Sequence, residues 1–217
     1  MPIPGGTGKE ISFMIDHVNN CIVSSIMGKT KLNEKALKLD GMSSFKVRNF
    51  LNHLLEFPNS KYLEIGVWKG STFYSALYKN YPQYAVAIDD WSGFNGSSSL
   101  EEFKSNIKDL ETPYDIHCID SFQFDIDQFK QKFNIYFYDG DHSVLSHELA
   151  LTYYYGALEN TFVYICGDWN APDVKNGTKI GIEKTGLKVI KEWELPAKFN
   201  GDQENWWNGL YVLFASK

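Results

Sequence analysis

The sequence predicts an α/β fold: a seven-stranded, mostly parallel sheet, covered by helices on both faces and closed by a C-terminal antiparallel hairpin. Three observations carry this. Short, almost wholly apolar runs recur along the chain and end in acids or glycine. The segments between them show helical spacing of apolar residues. The C-terminal stretch breaks the alternation, with two strand-like runs and no helix between them. Apolar strands that alternate with helices are the mark of a parallel sheet buried on both sides.

The elements follow in order. Over residues 43–57, Phe45, Phe50, Leu51, Leu54 and Leu55 recur at helical spacing, with Ser43 or Ser44 as N-cap. Pro58-Asn59-Ser60 ends that helix. Tyr62-Leu63-Glu64-Ile65 is a short strand, and residues 71–79 follow as helix. Residues 84–89 form a second strand that runs into two acids, and residues 100–110 a helix. A third strand covers 116–119 and a short helix 124–132. The fourth strand, 135–138, leads into a helix over 143–158, and the fifth covers 162–166. Residues 186–195 and 209–215 pair as the closing hairpin. Together these describe a three-layer, Rossmann-like sandwich.

Length and composition bound the rest. At 217 residues the chain suits one α/β domain. The reading divides it into an N-terminal segment, 1–41, partly loose and able to serve as a substrate cover, and the sheet domain, 42–217. Hydrophobic residues at 43% with 22% charged exclude a wholly disordered chain. No apolar run reaches membrane-spanning length and no apolar signal core opens the sequence, so a cytoplasmic protein without a membrane partner is expected. The net charge of −6, with Arg48 the sole arginine, disfavours a nucleic-acid partner. A small-molecule partner is expected, and self-association into a homo-oligomer is allowed. Cys21, Cys118 and Cys166 lack CxxC spacing and read as buried, reduced thiols.

In an open α/β sheet, ligands bind beyond the carboxyl ends of the strands, so the residues after each strand matter most. After the first comes Glu64-Ile65-Gly66-Val67-Trp68-Lys69-Gly70-Ser71. Gly66 would let the backbone approach a ligand, and Gly70 opens a helix whose free N–H groups favour an anionic group. The E-x-G-x-x-x-G spacing is not the dinucleotide turn, and such turns also form for purely structural reasons. After the second strand come Asp89, Asp90 and Trp91. Asp89 is placed to accept the hydroxyls of a ribose, and Trp91 either stacks on a base or belongs to the core. After the third, Asp120 and Ser121 could read an exocyclic amine, or form a plain turn.

After the fourth strand comes Asp139-Gly140-Asp141-His142-Ser143. Two carboxylates and an imidazole at a strand tip suit a divalent cation and a general base. A capped turn, with Asp141 or Ser143 as N-cap, is the plainer alternative. After the fifth come Asp168 and Asn170. If the two strands are neighbours, Asp139, Asp168 and Asn170 converge, either on magnesium or as a metal-free hydrogen-bonding cluster. His147 reads as a surface residue. Asn205-Trp206-Trp207-Asn208 either covers the pocket or fills a loop. Residues 1–45, 91–100, 168–180 and 200–208 are the candidate acceptor-facing segments.

At Glu64 to Ser71, with Asp89, the sequence resembles class I S-adenosylmethionine-dependent methyltransferases. Asp139 to Ser143 followed by Asp168-Trp169 resembles a narrower group, the macrocin and mycinamicin sugar O-methyltransferases, and more distantly catechol O-methyltransferase. The resemblance spans about residues 42–215. It implies that Glu64, Gly66, Gly70 and Ser71 hold the methionine end of S-adenosylmethionine. Asp89, with Asp90 and Trp91 beside it, would bind the ribose, and Asp120 and Ser121 the adenine. Asp139 and Asp168, with Asn170, would bind Mg2+, and His142 would be the base. The sugar enzymes carry two adjacent acids after strand five, where this chain has Gly167-Asp168. Catechol-type enzymes have adjacent Asp-Asn, where here Trp169 intervenes. The implied reaction is O-methylation of a sugar or polyol hydroxyl. Two other readings stay open: a non-catalytic S-adenosylmethionine-binding module, and a nicotinamide oxidoreductase, which the missing G-x-G-x-x-G disfavours.

Overall fold

The computed structural model describes residues 8–93 and 97–217. Seven strands form one sheet: β1 (Lys61–Ile65), β2 (Tyr84–Asp89), β3 (Asp115–Cys118), β4 (Phe133–Tyr138), β5 (Leu158–Cys166), β6 (Lys188–Leu195) and β7 (Leu210–Ser216). Their order is β3-β2-β1-β4-β5-β7-β6. β1 pairs in parallel with β2 and with β4, and β3 and β5 extend the sheet in parallel on either side. β7 lies antiparallel between β5 and β6. The chain runs outward from β1 to β3, then returns to β4 on the other side. The crevice at the C-terminal ends of β1 and β4 is the switch point, where such sheets bind ligands.

Alternating strand residues feed two separate cores, as the period of two requires. Tyr62, Ala85, Ala87, Ile135 and Phe137 face one way, against α1 (Gly8–Ile26), α3 (Phe45–Leu54), α4 (Ser71–Leu77) and α5 (Ser97–Ile107). Leu63, Val86, Ile88, Tyr136 and Tyr138 face the other way, against α6 (Val144–Thr152) and α7 (Pro172–Thr185). The short α2 (Glu34–Lys38) is capped by Asn33 and α3 by Ser44. Each fully buried Leu or Ile contributes roughly 1.5–3 kcal/mol, so the strands are held chiefly by their faces.

Several expectations need correction. The N-terminal segment, read as partly loose, is helical from Gly8 onward: α1 buries Met14, Val18, Cys21 and Ile22 in the cluster that holds Phe50 and Leu51. Residues 1–7 and 94–96, parts of the loose and acceptor-facing segments, lie outside the described residues. The helix expected over 124–132 is a single 3-10 turn, Ile126–Gln128. The helix expected over 143–158 stops at Thr152; a 3-10 turn, Tyr154–Ala157, follows, and β5 begins at Leu158. Most of 168–180, read as acceptor-facing, belongs to α7, which opens with Pro172 and lies on α6. Cys118 is exposed at the end of β3, while Cys21 and Cys166 are buried. Among the described residues no helix is long and apolar enough to cross a membrane.

Candidate active site

The tips of β1 and β4 touch. The Asp139 amide donates to the Ile65 carbonyl at 2.9 Å, and the Gly66 amide to that of Ile88 at 2.9 Å, so the ladders run past the strand ends. Gly66 has φ +82, and a Cβ there would stand 2.2 Å from the Asp139 carbonyl oxygen. Only glycine meets both conditions. This crossing forms the floor of a cleft of about 660 Å3, lined by residues from the ends of β1 to β5 and from the β6–β7 loop.

The expected cofactor residues divide. Gly66, Asp89, Asp90, Asp120 and Ser121 line the cleft. Asp89 is half-buried and acts as a clasp: its two oxygens accept the Trp68 and Trp91 amides at 2.8 Å each. Burial raises its carboxyl above the ordinary range, against those two hydrogen bonds. Asp90 is exposed, with Oδ1 accepting the Ser92 amide and hydroxyl. Asp120 accepts the Phe122 amide at 2.9 Å and so shapes its own turn.

Glu64, Gly70, Ser71 and Trp91 are not among the residues that line the cleft. Glu64 is fully buried below the glycine turn, where Tyr62 Oη donates at 2.6 Å and Thr72 Oγ1 at 2.5 Å. Burial pushes its carboxyl up to about 7 despite those donors. Gly70 opens α4 at φ +82, and a Cβ there would meet the Phe103 ring at 2.8 Å. Ser71 is buried against Ser43, their hydroxyls 3.2 Å apart. Trp91 packs on Phe103, with ring centroids 5.1 Å apart, and donates to the Trp68 carbonyl at 2.7 Å. Among the described residues, the aromatic groups that line the cleft include Trp68, Phe122, Tyr138 and Trp207. Sequence reasoning missed Trp68 and Phe122. Both follow a candidate residue by one or two positions, the only signal that could have found them.

At the other end, the tips of β4 and β5 bring Asp139, His142 and Asp168 together, each offering an atom within 4.8 Å of the others. His142 Nε2 lies 3.3 Å from Asp168 Oδ2. The hydrogen bond to Asp168 raises the imidazole above its ordinary value, against partial burial. Burial works to raise Asp168, but His142 prevails and holds it below the usual carboxylate range. Asp139 is pushed well up, first by burial and then by the Asp168 charge. The Asp139 carboxylate lies against the backbone of Gly167, where a Cβ would stand 1.9 Å from Oδ1.

Of the two N-cap candidates Ser143 caps α6, its hydroxyl accepting the Ser146 amide at 3.2 Å. The Asp141 carboxylate supports that turn by accepting the Ser143 amide at 3.1 Å and the Ser146 hydroxyl at 2.7 Å, and hydrogen bonds from these serines hold it at about 2. Asn170 is a correction. It donates to the Ala197 carbonyl at 3.0 Å and does not line the cleft. Asn208 stands there instead, donating to Asp168 Oδ1 at 2.6 Å. His147, read as a surface residue, is buried behind the site, with Nδ1 3.4 Å from Cys166 Sγ. Of 205–208, Trp207 and Asn208 reach the cleft, whereas Trp206 fills the core beside Phe50.

No family model and no curated protein matches the sequence. Solved structures do match. The O-methyltransferase TomG from Streptomyces achromogenes, in complex with S-adenosylmethionine, aligns with TM-score 0.60 over 93% of this chain and 98% of that one, at 13% identity. An O-methyltransferase from Bacillus cereus, in complex with S-adenosylhomocysteine, aligns with TM-score 0.58 over 93% and 91%, at 11% identity. An RNA methyltransferase candidate from Pyrococcus horikoshii gives 0.52 over 92% and 97%, again at 11%. The strand order with β7 inserted antiparallel, together with these likenesses, assigns this chain to the class I S-adenosylmethionine-dependent methyltransferase fold.

Proposed function

We propose that the protein is an S-adenosylmethionine-dependent O-methyltransferase acting on an uncharged small-molecule hydroxyl, of the sugar or polyol class. One observation carries this reading. The Asp139–His142–Asp168 cluster opens into the same cleft as the Gly66 turn, Asp90 and Asp120. A group that can take a proton thus faces a site shaped for a nucleoside. The acids after β2 would accept from the ribose hydroxyls. The turn from Asp120 to Phe122 would meet the base, and the backbone at Gly66 and Trp68 the methionine end. Two of the aligned structures carry S-adenosylmethionine or its product, each in its own protein.

Among the described residues no lysine or arginine lines the cleft, whereas six aspartates do. That field suits a cationic cofactor and a neutral acceptor, and it opposes phosphorylated acceptors and nucleic acid. Trp207 and Met42 add apolar wall to the same cleft.

The reaction asks little new chemistry of the protein. The acceptor oxygen attacks the methyl carbon, the carbon–sulfur bond breaks, and sulfur leaves neutral. Alignment of the two reactants supplies much of the rate. With Nε2 donating to Asp168, His142 takes the hydroxyl proton at Nδ1 and must be neutral to do so. Two carboxylates and an imidazole within reach of one another fit a divalent cation of the magnesium or manganese type. Asp139 and Asp168 would hold it, and when bound it would ease ionisation of the hydroxyl.

The test is calorimetric binding of S-adenosylhomocysteine, followed by transfer of a labelled methyl group to a panel of neutral glycosides and polyols, with and without EDTA. Binding plus transfer is expected, with activity lost to EDTA. Failure to bind, or preference for NADH, overturns the reading. Binding without transfer to any acceptor leaves a cofactor-binding module. Full transfer in EDTA removes the cation but keeps the base.

A further inference from the structure

We infer that Asn208, on the loop between β6 and β7, is a positioning residue that fixes the carboxylate of Asp168 in the reactive cluster; this rests on the O-methyltransferase reading of the cleft. Asp168 stands two residues past β5 with φ +54, a left-handed conformation uncommon outside glycine though tolerated by aspartate better than by most residues, and here tied down by its surroundings. The surroundings here are the start of β7. The Trp169 amide donates to the Gly209 carbonyl at 3.2 Å and the Asn170 amide to the Asn208 carbonyl at 2.9 Å. The backbone of Asn208 therefore anchors the kink, and its side chain addresses the carboxylate that the kink presents.

The orientation of the Asn208 amide is not arbitrary. The Gly201 amide donates to Asn208 Oδ1 at 2.7 Å, which leaves Nδ2 as the group facing Asp168 Oδ1, at 2.6 Å. With Oδ1 of Asp168 held in this way, Oδ2 is turned toward His142. Asn208 Oδ1 is engaged by Gly201, so the side chain acts through Asp168 and does not stand in as an oxygen ligand for Asn170.

The loop that carries Asn208 is itself built round a buried acid. Asp202 is 1% exposed and accepts the amides of Lys198, Glu204 and Asn205, each at 3.1 Å, and the Asn205 side chain at 2.9 Å. Asp202 and Trp207 exchange backbone hydrogen bonds at 3.1 Å in both directions. The same loop thus holds Trp207 against the acceptor end of the cleft and Asn208 against Asp168. A shared rigid support makes acceptor wall and reactive carboxylate one unit, which is how supporting residues tune a site without touching the substrate's reacting atoms.

The experiment compares the full-length parent with Asn208→Ala and Asn208→Asp. Four quantities are measured: melting temperature, S-adenosylhomocysteine affinity, Mn2+ affinity by calorimetry, and kcat for methyl transfer. Asn208→Ala should keep cofactor affinity within about twofold while Mn2+ affinity and kcat fall about 10–100-fold. Asn208→Asp keeps an acceptor for the Gly201 amide, so the loop stays folded, but it turns the donor to Asp168 into a like charge; kcat should again fall at least tenfold. Parent-like kcat and Mn2+ affinity in Asn208→Ala, or parent-like kcat in a folded Asn208→Asp, overturns the inference. If the parent binds Mn2+ but transfers no methyl group, the functional reading fails and Mn2+ affinity alone decides the role of Asn208. If the parent transfers methyl without binding Mn2+, kcat decides it. A parent that does neither overturns both.

Discussion

The carbonyl oxygen of Asp139 lies 2.2 Å from the point where a Cβ on Gly66 would stand, so the two strand tips that floor the cleft approach to backbone contact. The nucleoside end and the acid end of the site are joined at this crossing.

Gly66→Ala tests how much depends on it. The added methyl must push the Asp139 loop away, at about 1–3 kcal/mol for overpacking, with about 1–2 kcal/mol more for an L-residue at φ +82. A lowered melting temperature and at least a tenfold loss of S-adenosylhomocysteine affinity are expected. Parent values for both would show that the tips can part freely.

Asp89 and Asp90 should separate. Asp89→Ala leaves the Trp68 and Trp91 amides without their acceptor, at about 1–3 kcal/mol for each group that stays dry. Both melting temperature and cofactor affinity should fall. Asp90 is exposed and caps only its own turn, at Ser92. Asp90→Ala should leave the melting temperature within a few degrees and weaken cofactor binding about tenfold, as for one charged hydrogen bond. Unchanged affinity in Asp90→Ala would assign the ribose to Asp89 alone.

The order of sheet and site was legible because parallel strands are apolar on both faces and end abruptly in acids and glycine. Hence Asp89, Asp120, Asp139 and Asp168 were found from their positions alone. α7 was not legible. Its sequence holds Asn176, Gly177, Thr178 and Gly181, all poor helix formers. Packing overrides propensity there: a Cβ on Gly177 would stand 2.3 Å from the Val144 carbonyl, so glycine lets α7 lie flat on α6. Asn208 was legible only as part of a segment that covers the pocket or fills a loop, because its contact with Asp168 spans forty positions and depends on the β5–β7 pairing. The aromatic residues show the same limit. Trp68 and Trp91 flank the same turn, both at positive φ, yet only the fold says which faces the cleft.

His142 is expected to be the base. His142→Ala should lower kcat by about 10²–10⁴-fold and leave S-adenosylhomocysteine affinity unchanged, since His142 stands at the acid end of the cleft. His142→Gln should be equally impaired, because an amide cannot accept the proton. A folded His142→Ala protein that turns over at the parent rate would remove it from the mechanism.

The last prediction concerns pH and stability, through two buried groups with opposite signs. Glu64 is lifted by burial from an ordinary 4.5 to about 7. Below pH 4.5 it is protonated in both folded and unfolded chains and imposes nothing. Between 4.5 and 7 the unfolded chain ionises while the folded one keeps its proton, so stability is lost as pH rises. The loss is complete above 7 and on the order of 3 kcal/mol. His147 is depressed by burial from 6.5 to about 4, so it is neutral in the fold when the unfolded chain is already charging. Its loss runs the other way, as pH falls from 6.5 toward 4. The two slopes oppose one another over pH 4.5–6.5 and nearly cancel, so urea unfolding of the parent from pH 4 to 8 should give an almost flat contribution from this pair. Glu64→Gln cannot ionise and keeps an oxygen for Tyr62 or Thr72. It should unmask the His147 slope, so that stability rises by on the order of 3 kcal/mol from about pH 4 to 6.5. A Glu64→Gln profile with the same pH dependence as the parent would show that Glu64 does not offset His147.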